Sequence, residues 1–166
     1  EQGFTIMKMD IGIGLIKDIP GTLTNMEYWN ELRGWDFRRD TYGSTMHPFT
    51  RLQITEKGIA EMVNYVAAMR DAIGMEIPVG IDHVGHMGLN SMIRLGRAFE
   101  PYNIAWLEDL ISWQYTDQWI EISRSIEVPT LTGEDIYLKE GFRDLIEKRA
   151  VDIVHPDPVT AGGYLE

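Results

Sequence analysis

The chain contains no cysteine among its 166 residues. That excludes a disulfide framework and any thiolate-held metal. Long apolar runs are also missing: none approaches the roughly 20 residues a bilayer-spanning helix needs. Basic residues are scarce, 15 Lys and Arg against 26 Asp and Glu for a formal net charge of −11. No segment gathers enough of them to form a phosphate-binding stripe. Neither nucleic acid nor a membrane is therefore an expected partner. The opening Glu1-Gln2-Gly3 lacks the basic start and small-residue cleavage site of a signal peptide, which makes the cytoplasm the expected compartment.

What is present fits a globular α/β protein: 44% of residues are hydrophobic and 10% aromatic, in a length that suits one domain with a sizeable core. The acidic balance chiefly keeps such a chain soluble. It also repels anions at long range, so an anionic substrate would need local Lys, Arg or metal charge to bind.

Three short apolar runs each lead into a carboxylate. Pro78-Val-Gly-Ile ends in Asp82, Ile104-Ala-Trp-Leu ends in Glu108, and Leu131-Thr-Gly leads into Glu134. The two intervals are 26 residues each, and Asp157 follows 23 later. One strand plus one crossover helix per carboxylate explains that period. In a parallel sheet of such units all strand C-termini point one way, so Asp82, Glu108 and Glu134 converge on one face. Converging carboxylates repel unless a cation lies between them, and an all-oxygen donor set selects a hard divalent ion, Mg²⁺ first.

Four stretches together resemble the enolase superfamily: Trp106-Leu-Glu-Asp109, Thr132-Gly-Glu134, Val151-Asp-Ile-Val-His-Pro-Asp157 with Gly162-Gly163, and Lys8-Met-Asp10 at the end of an earlier strand. The nearest subgroup is the one containing mandelate racemase, muconate lactonising enzyme and the acid-sugar dehydratases. The resemblance runs from about Gly3 to the last residue and implies part of a TIM-type (β/α)8 barrel in its modified (β/α)7β form. Counting Lys8 as the end of the second barrel strand, residues 1–166 hold strands two to six of the catalytic barrel domain. The first strand, the last two and the N-terminal capping domain are expected to lie outside this sequence.

Along the chain, period-2 alternation puts Lys8 and Asp10 on one face of the first strand. Lys8 reads either as a base or carboxylate-binding cation, or as a structural ion pair with Asp10. The stretch 11–50 is far longer than an ordinary βα loop and reads as an ordered insertion on the active-site side. It carries Tyr28, Trp29, Trp35, Phe37, Tyr42 and Phe49, with Arg33, Arg38, Arg39 and His47 as possible substrate contacts. Thr55 is placed to cap a helix that stops at Gly74. Asn90 or Ser91 is expected to start the next, and Thr116 or Asp117 the one after. A last helix with Phe142, Leu145 and Ile146 leads to a strand from Val151 to His155.

His83 and His86 follow Asp82 in a Gly-containing loop and are candidates for proton transfer or substrate hydrogen bonding, less so for zinc. Strand alternation turns Asp109 away from Glu108, to a supporting or surface role. Asp157 reads as a turn residue between two prolines or as a functional acid.

The resemblance implies abstraction of the proton α to a substrate carboxylate, with Mg²⁺ on Asp82, Glu108 and Glu134 stabilising the enediolate. Lys8, His86 and Asp157 are then the catalytic candidates, Asp157 by holding a histidine of the next strand, beyond this sequence. Asp10, His83 and His155 are the substrate-binding candidates. In the family the Lys8 strand usually ends Lys-x-Lys, the second lysine being a common base; here Asp10 replaces it. That departure, with two nearby histidines as acids, points to dehydration of a sugar acid, ahead of racemisation, epimerisation or cycloisomerisation. From another class, the chain would be a metal-binding scaffold without turnover. A full-length protein of this kind is expected to be a homo-oligomer.

Overall fold

The structure, a computed structural model, describes residues 3–27, 48–49, 51–82 and 84–165. Its frame is a five-stranded parallel sheet. The strands β1 (Met7–Asp10), β4 (Val79–Asp82), β5 (Ile104–Glu108), β6 (Thr130–Thr132) and β7 (Ile153–Val154) lie side by side in chain order. Two short strands, β2 (Leu23–Thr24) and β3 (Gln53–Ile54), form a separate antiparallel pair.

Parallel neighbours require a crossover, and helices supply it. Helix α1 (Glu56–Ile73) joins β3 to β4, α2 (Leu89–Phe99) joins β4 to β5, α3 (Thr116–Ser123) joins β5 to β6, and the short α4 (Arg143–Glu147) precedes β7. This is the expected α/β class. No helix among the described residues is long and apolar enough to cross a membrane.

Local chemistry fixes the helix ends. Thr55 caps α1 by accepting from Gly58 N at 3.1 Å, and Gly74 ends it at φ 78°. Met62, Val66 and Arg70, four residues apart, are buried on its inner face. Helix α2 begins one or two residues before the expected Asn90 or Ser91, because Ser91 is otherwise engaged. Its buried hydroxyl accepts from Ile54 N at 3.1 Å and donates to Gln53 at 2.6 Å, tying the helix to β3. Phe142 and Leu145 are core residues, whereas Ile146 is exposed. The last strand is shorter than expected, Ile153–Val154.

The core between sheet and helices is apolar: Met62, Val66, Val79, Ile81, Met92, Leu95, Phe99, Leu107, Trp119 and Ile122 are all at most 1% exposed. Its lower side is fastened by Arg70, itself 5% exposed. The guanidinium donates to the carbonyls of Tyr102, Gly74, Ile77 and Asn103 at 2.6–3.1 Å. Arg70 thus ties the end of α1 to the entrances of β4 and β5, leaving the opposite strand ends for chemistry.

The start of the insertion packs onto this frame through Ile11, Ile13, Ile16 and Leu23, all buried. Phe49 meets Tyr115 edge to face, ring centres 6.3 Å apart. Tyr28, Trp29, Arg33, Trp35, Phe37, Arg38, Arg39, Tyr42 and His47 lie outside the described residues.

Candidate metal centre

Asp10, Asp82 and Glu108 are the last residues of β1, β4 and β5. Asp10 and Asp82 are partners in register across β1 and β4. Glu134 follows β6 after Gly133, whose φ of 142° turns the chain out of the strand. A side chain at that glycine would stand 2.9 Å from the His155 carbonyl, so only glycine lets the Glu134 turn pass this close to the end of β7.

Asp82 and Glu108 are 2% and 1% exposed. Ionised carboxylates that deep demand partners. Lys8 supplies one: its Nζ lies 2.6 Å from Asp82 Oδ2 and 3.3 Å from Glu108 Oε2. The lysine therefore bridges two strand-end carboxylates and is not merely an ion pair within its own strand. Burial pulls the Lys8 pKa down, but the hydrogen bond and charge of Asp82, with those of Glu108, outweigh it and raise the pKa above the lysine norm. Lys8 is an ammonium ion in this arrangement.

Glu108 is the hub. Besides Lys8, its Oε2 accepts from the Trp106 indole Nε1 at 3.0 Å, and its Oε1 lies 2.9 Å from His155 Nδ1. His155, a substrate-binding candidate, thus stands against the carboxylates, with its side chain 45% exposed.

Asp109 does not turn away as strand alternation suggests. Its φ of 50° breaks the strand just after Glu108. The carboxyl swings back, accepts from Thr132 Oγ1 at 2.6 Å and joins Asp82 and Glu108. Burial, chiefly, and then the charges of Glu134, Asp82 and Glu108 push its pKa up to about 7, against the opposing hydrogen bond from Thr132.

Two sets of donor atoms lie close enough to share an ion: Asp82, Glu108 and Asp109, and Glu108, Glu134 and His155, each set within 4.8 Å. Glu108 belongs to both. Among the described residues, Lys8 brings one positive charge and His155 a second when protonated, against the carboxyl groups of Asp82, Glu108, Asp109 and Glu134. Burial is the main reason the Asp109 pKa is raised, and that excess of negative charge adds to it. A hard divalent cation held by oxygens fits this donor set.

The remaining candidates are placed differently. His86 is 5% exposed, in the loop after β4 with φ 78°. His83 lies outside the described residues. Asp157 sits in a turn, its Oδ1 accepting from Val159 N at 2.8 Å.

The family described as enolase C-terminal domain-like matches residues 1–166, the whole chain. This chain belongs to the enolase superfamily. Its curated relatives include sugar-acid dehydratases. A D-xylonate dehydratase of Haloferax volcanii is 36% identical over 65% of this chain and 26% of that enzyme. An arabinonate dehydratase of Saccharolobus solfataricus is 28% identical over 70% of this chain and 31% of that enzyme. A mandelate racemase/muconate lactonizing enzyme-like protein of Rubrobacter xylanophilus superposes with a TM-score of 0.73 at 32% identity, over 99% of this chain and 35% of that one. The chain thus spans less than a third of the two curated relatives' lengths.

In this enolase-superfamily chain, sequence reasoning missed two groups at the carboxylate cluster. Asp109 was hidden by the assumption that alternation persists past the strand end. Trp106 shares the face of Glu108 by the same alternation, a signal that was legible but reads equally well as core packing.

Proposed function

We propose that the full-length protein is a Mg²⁺-dependent dehydratase of a sugar acid, and that this chain supplies strands two to six of its barrel. The observation that carries the reading is Glu108, buried and shared by two sets of close donor atoms, one with Asp82 and the other with Glu134. The dehydratase relatives support the reaction class.

Asp82, Glu108 and Glu134 would hold the ion, with Asp109 adjoining them. When bound, Mg²⁺ would supply the positive charge that stabilises the substrate carboxylate as its α-proton leaves. Every other part of the chemistry falls to side chains. Lys8 at the edge of the cluster offers an ammonium group to the substrate carboxylate. It serves as a base only where another cation has taken up the charge of Asp82 and Glu108, since their present effect is to keep it protonated.

In the reaction the C2–H bond breaks and its proton passes to a base. The C3–O bond then breaks, and the hydroxyl takes a proton from an acid and leaves as water. The resulting enol becomes a 2-keto-3-deoxy acid. His155 has the best supporting geometry for contact with substrate, being half exposed and anchored by Nδ1 to Glu108. His83 and His86 are the proton donors this reading offers from the β4 loop. Asp10 lines the same face, and Asp157 is assigned to support of a histidine on the following strand.

The test is an acid-sugar library with the full-length protein in D₂O. Formation of 2-keto-3-deoxy acid with deuterium at C3 is the expected result. Epimerised product without keto acid would instead establish a racemase or epimerase.

A further inference from the structure

Lys8, Gly80 and Trp106 form one row across β1, β4 and β5: Lys8 pairs with Gly80, and Gly80 with Trp106. The middle residue has no side chain, and the indole occupies the space. A Cβ at Gly80 would stand 2.3 Å from Trp106 Cε2 and Cζ2 and 2.8 Å from Nε1. That is inside van der Waals contact, so any larger residue at 80 expels the ring. Folded over Gly80, the indole puts its N–H 3.0 Å from Glu108 Oε2.

We propose that Trp106 is a positioning residue for the metal centre, seated by Gly80, whose indole N–H fixes the Glu108 carboxylate for cation binding. The inference rests on the reading of Glu108 as a metal ligand and adds a part that reading does not contain. Among the described residues, Lys8 and Trp106 donate to Glu108, and His155 Nδ1 lies 2.9 Å from its Oε1. Lys8 is a cation and competes with any metal for the carboxylate. The indole is neutral, donor only, and does not compete. It can keep holding Oε2 while a cation binds the remaining lone pairs. Donors outside the ligand shell orient ligands in this way, and their loss typically lowers metal affinity roughly 10- to 100-fold.

Two substitutions separate this role from simple filling of space. Trp106→Phe keeps an aromatic ring at the site and deletes the N–H; Gly80→Ala keeps the N–H and removes its seat. In the full-length protein, calorimetric titration with Mg²⁺ should show affinity reduced about 10-fold or more in each. The double variant should bind no more weakly than the weaker single one, because both changes act through one hydrogen bond. In the wild type, Mg²⁺ should shift the Trp106 contribution to fluorescence to the blue, since a cation arriving beyond the pyrrole edge opposes the charge shift of the excited indole. That component is identified by its absence in Trp106→Phe.

Wild-type Mg²⁺ affinity in Trp106→Phe, whatever its melting temperature, overturns the inference and leaves the metal site standing. A wild-type protein that binds no Mg²⁺ at millimolar concentration overturns both. A loss of thermal stability in EDTA without any loss of Mg²⁺ affinity would reveal a packing role only, and would equally overturn it. If Gly80→Ala does not fold, Trp106→Phe and the wild-type fluorescence shift still decide the matter.

Discussion

Lys8 and Asp82 meet across neighbouring parallel strands, Nζ to Oδ2 at 2.6 Å, although they are two residues out of register. Lys8 is level with Gly80, so its side chain runs along the sheet to the strand ends and places a cation among carboxylates. That offset makes a lysine on the first strand part of a centre built from β4 and β5.

Removing that cation should expose the repulsion it offsets. Lys8→Met is expected to destabilise the metal-free protein by about 1–2 kcal/mol. The figure is below the roughly 3–5 kcal/mol of a fully buried pair, because solvent reaches the lysine. The Lys8 pKa is raised in the fold, so this contribution is fully present below pH 10.5, declines above it and is lost as pH rises through the raised value. Urea unfolding in EDTA measures the loss. Added Mg²⁺ should restore more stability to the variant than to wild type, and the sugar-acid dehydration proposed for the full-length protein should slow by about 100-fold or more.

Asp109 should make metal-free stability depend on pH. Its carboxyl titrates near 7 in the fold against 3.8 for the ordinary group, so the folded state holds a proton that the unfolded chain has released. Its contribution is complete below pH 3.8, declines as pH rises, and is lost once pH passes about 7. At 1.36 kcal/mol per unit the full swing is about 4 kcal/mol. Asp109→Asn should flatten the urea-unfolding midpoint across that window in EDTA. An unchanged slope would mean that another group carries it.

Glu134 follows the strand at a glycine turn and is half-buried, so Glu134→Gln should leave the fold intact. Its Mg²⁺ affinity should fall by about 10-fold or more, since an ionised oxygen ligand becomes a neutral one. Circular dichroism checks the fold and calorimetry the affinity.

Arg70 provides the contrast, at the far end of the sheet. Arg70→Met removes the donor of four carbonyls, those of Tyr102, Gly74, Ile77 and Asn103, and should cost about 2–4 kcal/mol in denaturant unfolding. Lys at this position should recover little, because one ammonium lacks the planar fork that reaches all four. Mg²⁺ affinity measured at low temperature, where the variant remains folded, should not change.

The carboxylate period made the architecture legible. Asp82, Glu108 and Glu134 recur once per strand-helix unit, and the hydrogen-bonded order of the parallel strands requires them to share a face. Thr55 and Gly74 marked the ends of α1 because capping is a local matter, settled by one hydroxyl and one positive φ. The start of α2 was misjudged because Ser91 spends its hydroxyl on β3, a partner 37 residues away that no local rule detects.

The sequence by itself determined the parallel α/β order and the three carboxylates at or just past strand ends, since both follow from spacing within a repeating unit, while its motifs carried the resemblance to the superfamily. Tertiary structure alone decided who touches whom at that face. It swung Asp109 back at a left-handed residue, set His155 against Glu108, carried Lys8 to Asp82 and laid Trp106 over Gly80. Alternation along a strand says which face a side chain occupies; contact across strands depends on register, on φ at the strand ends and on which neighbour has left space, and none of these is written in one strand alone.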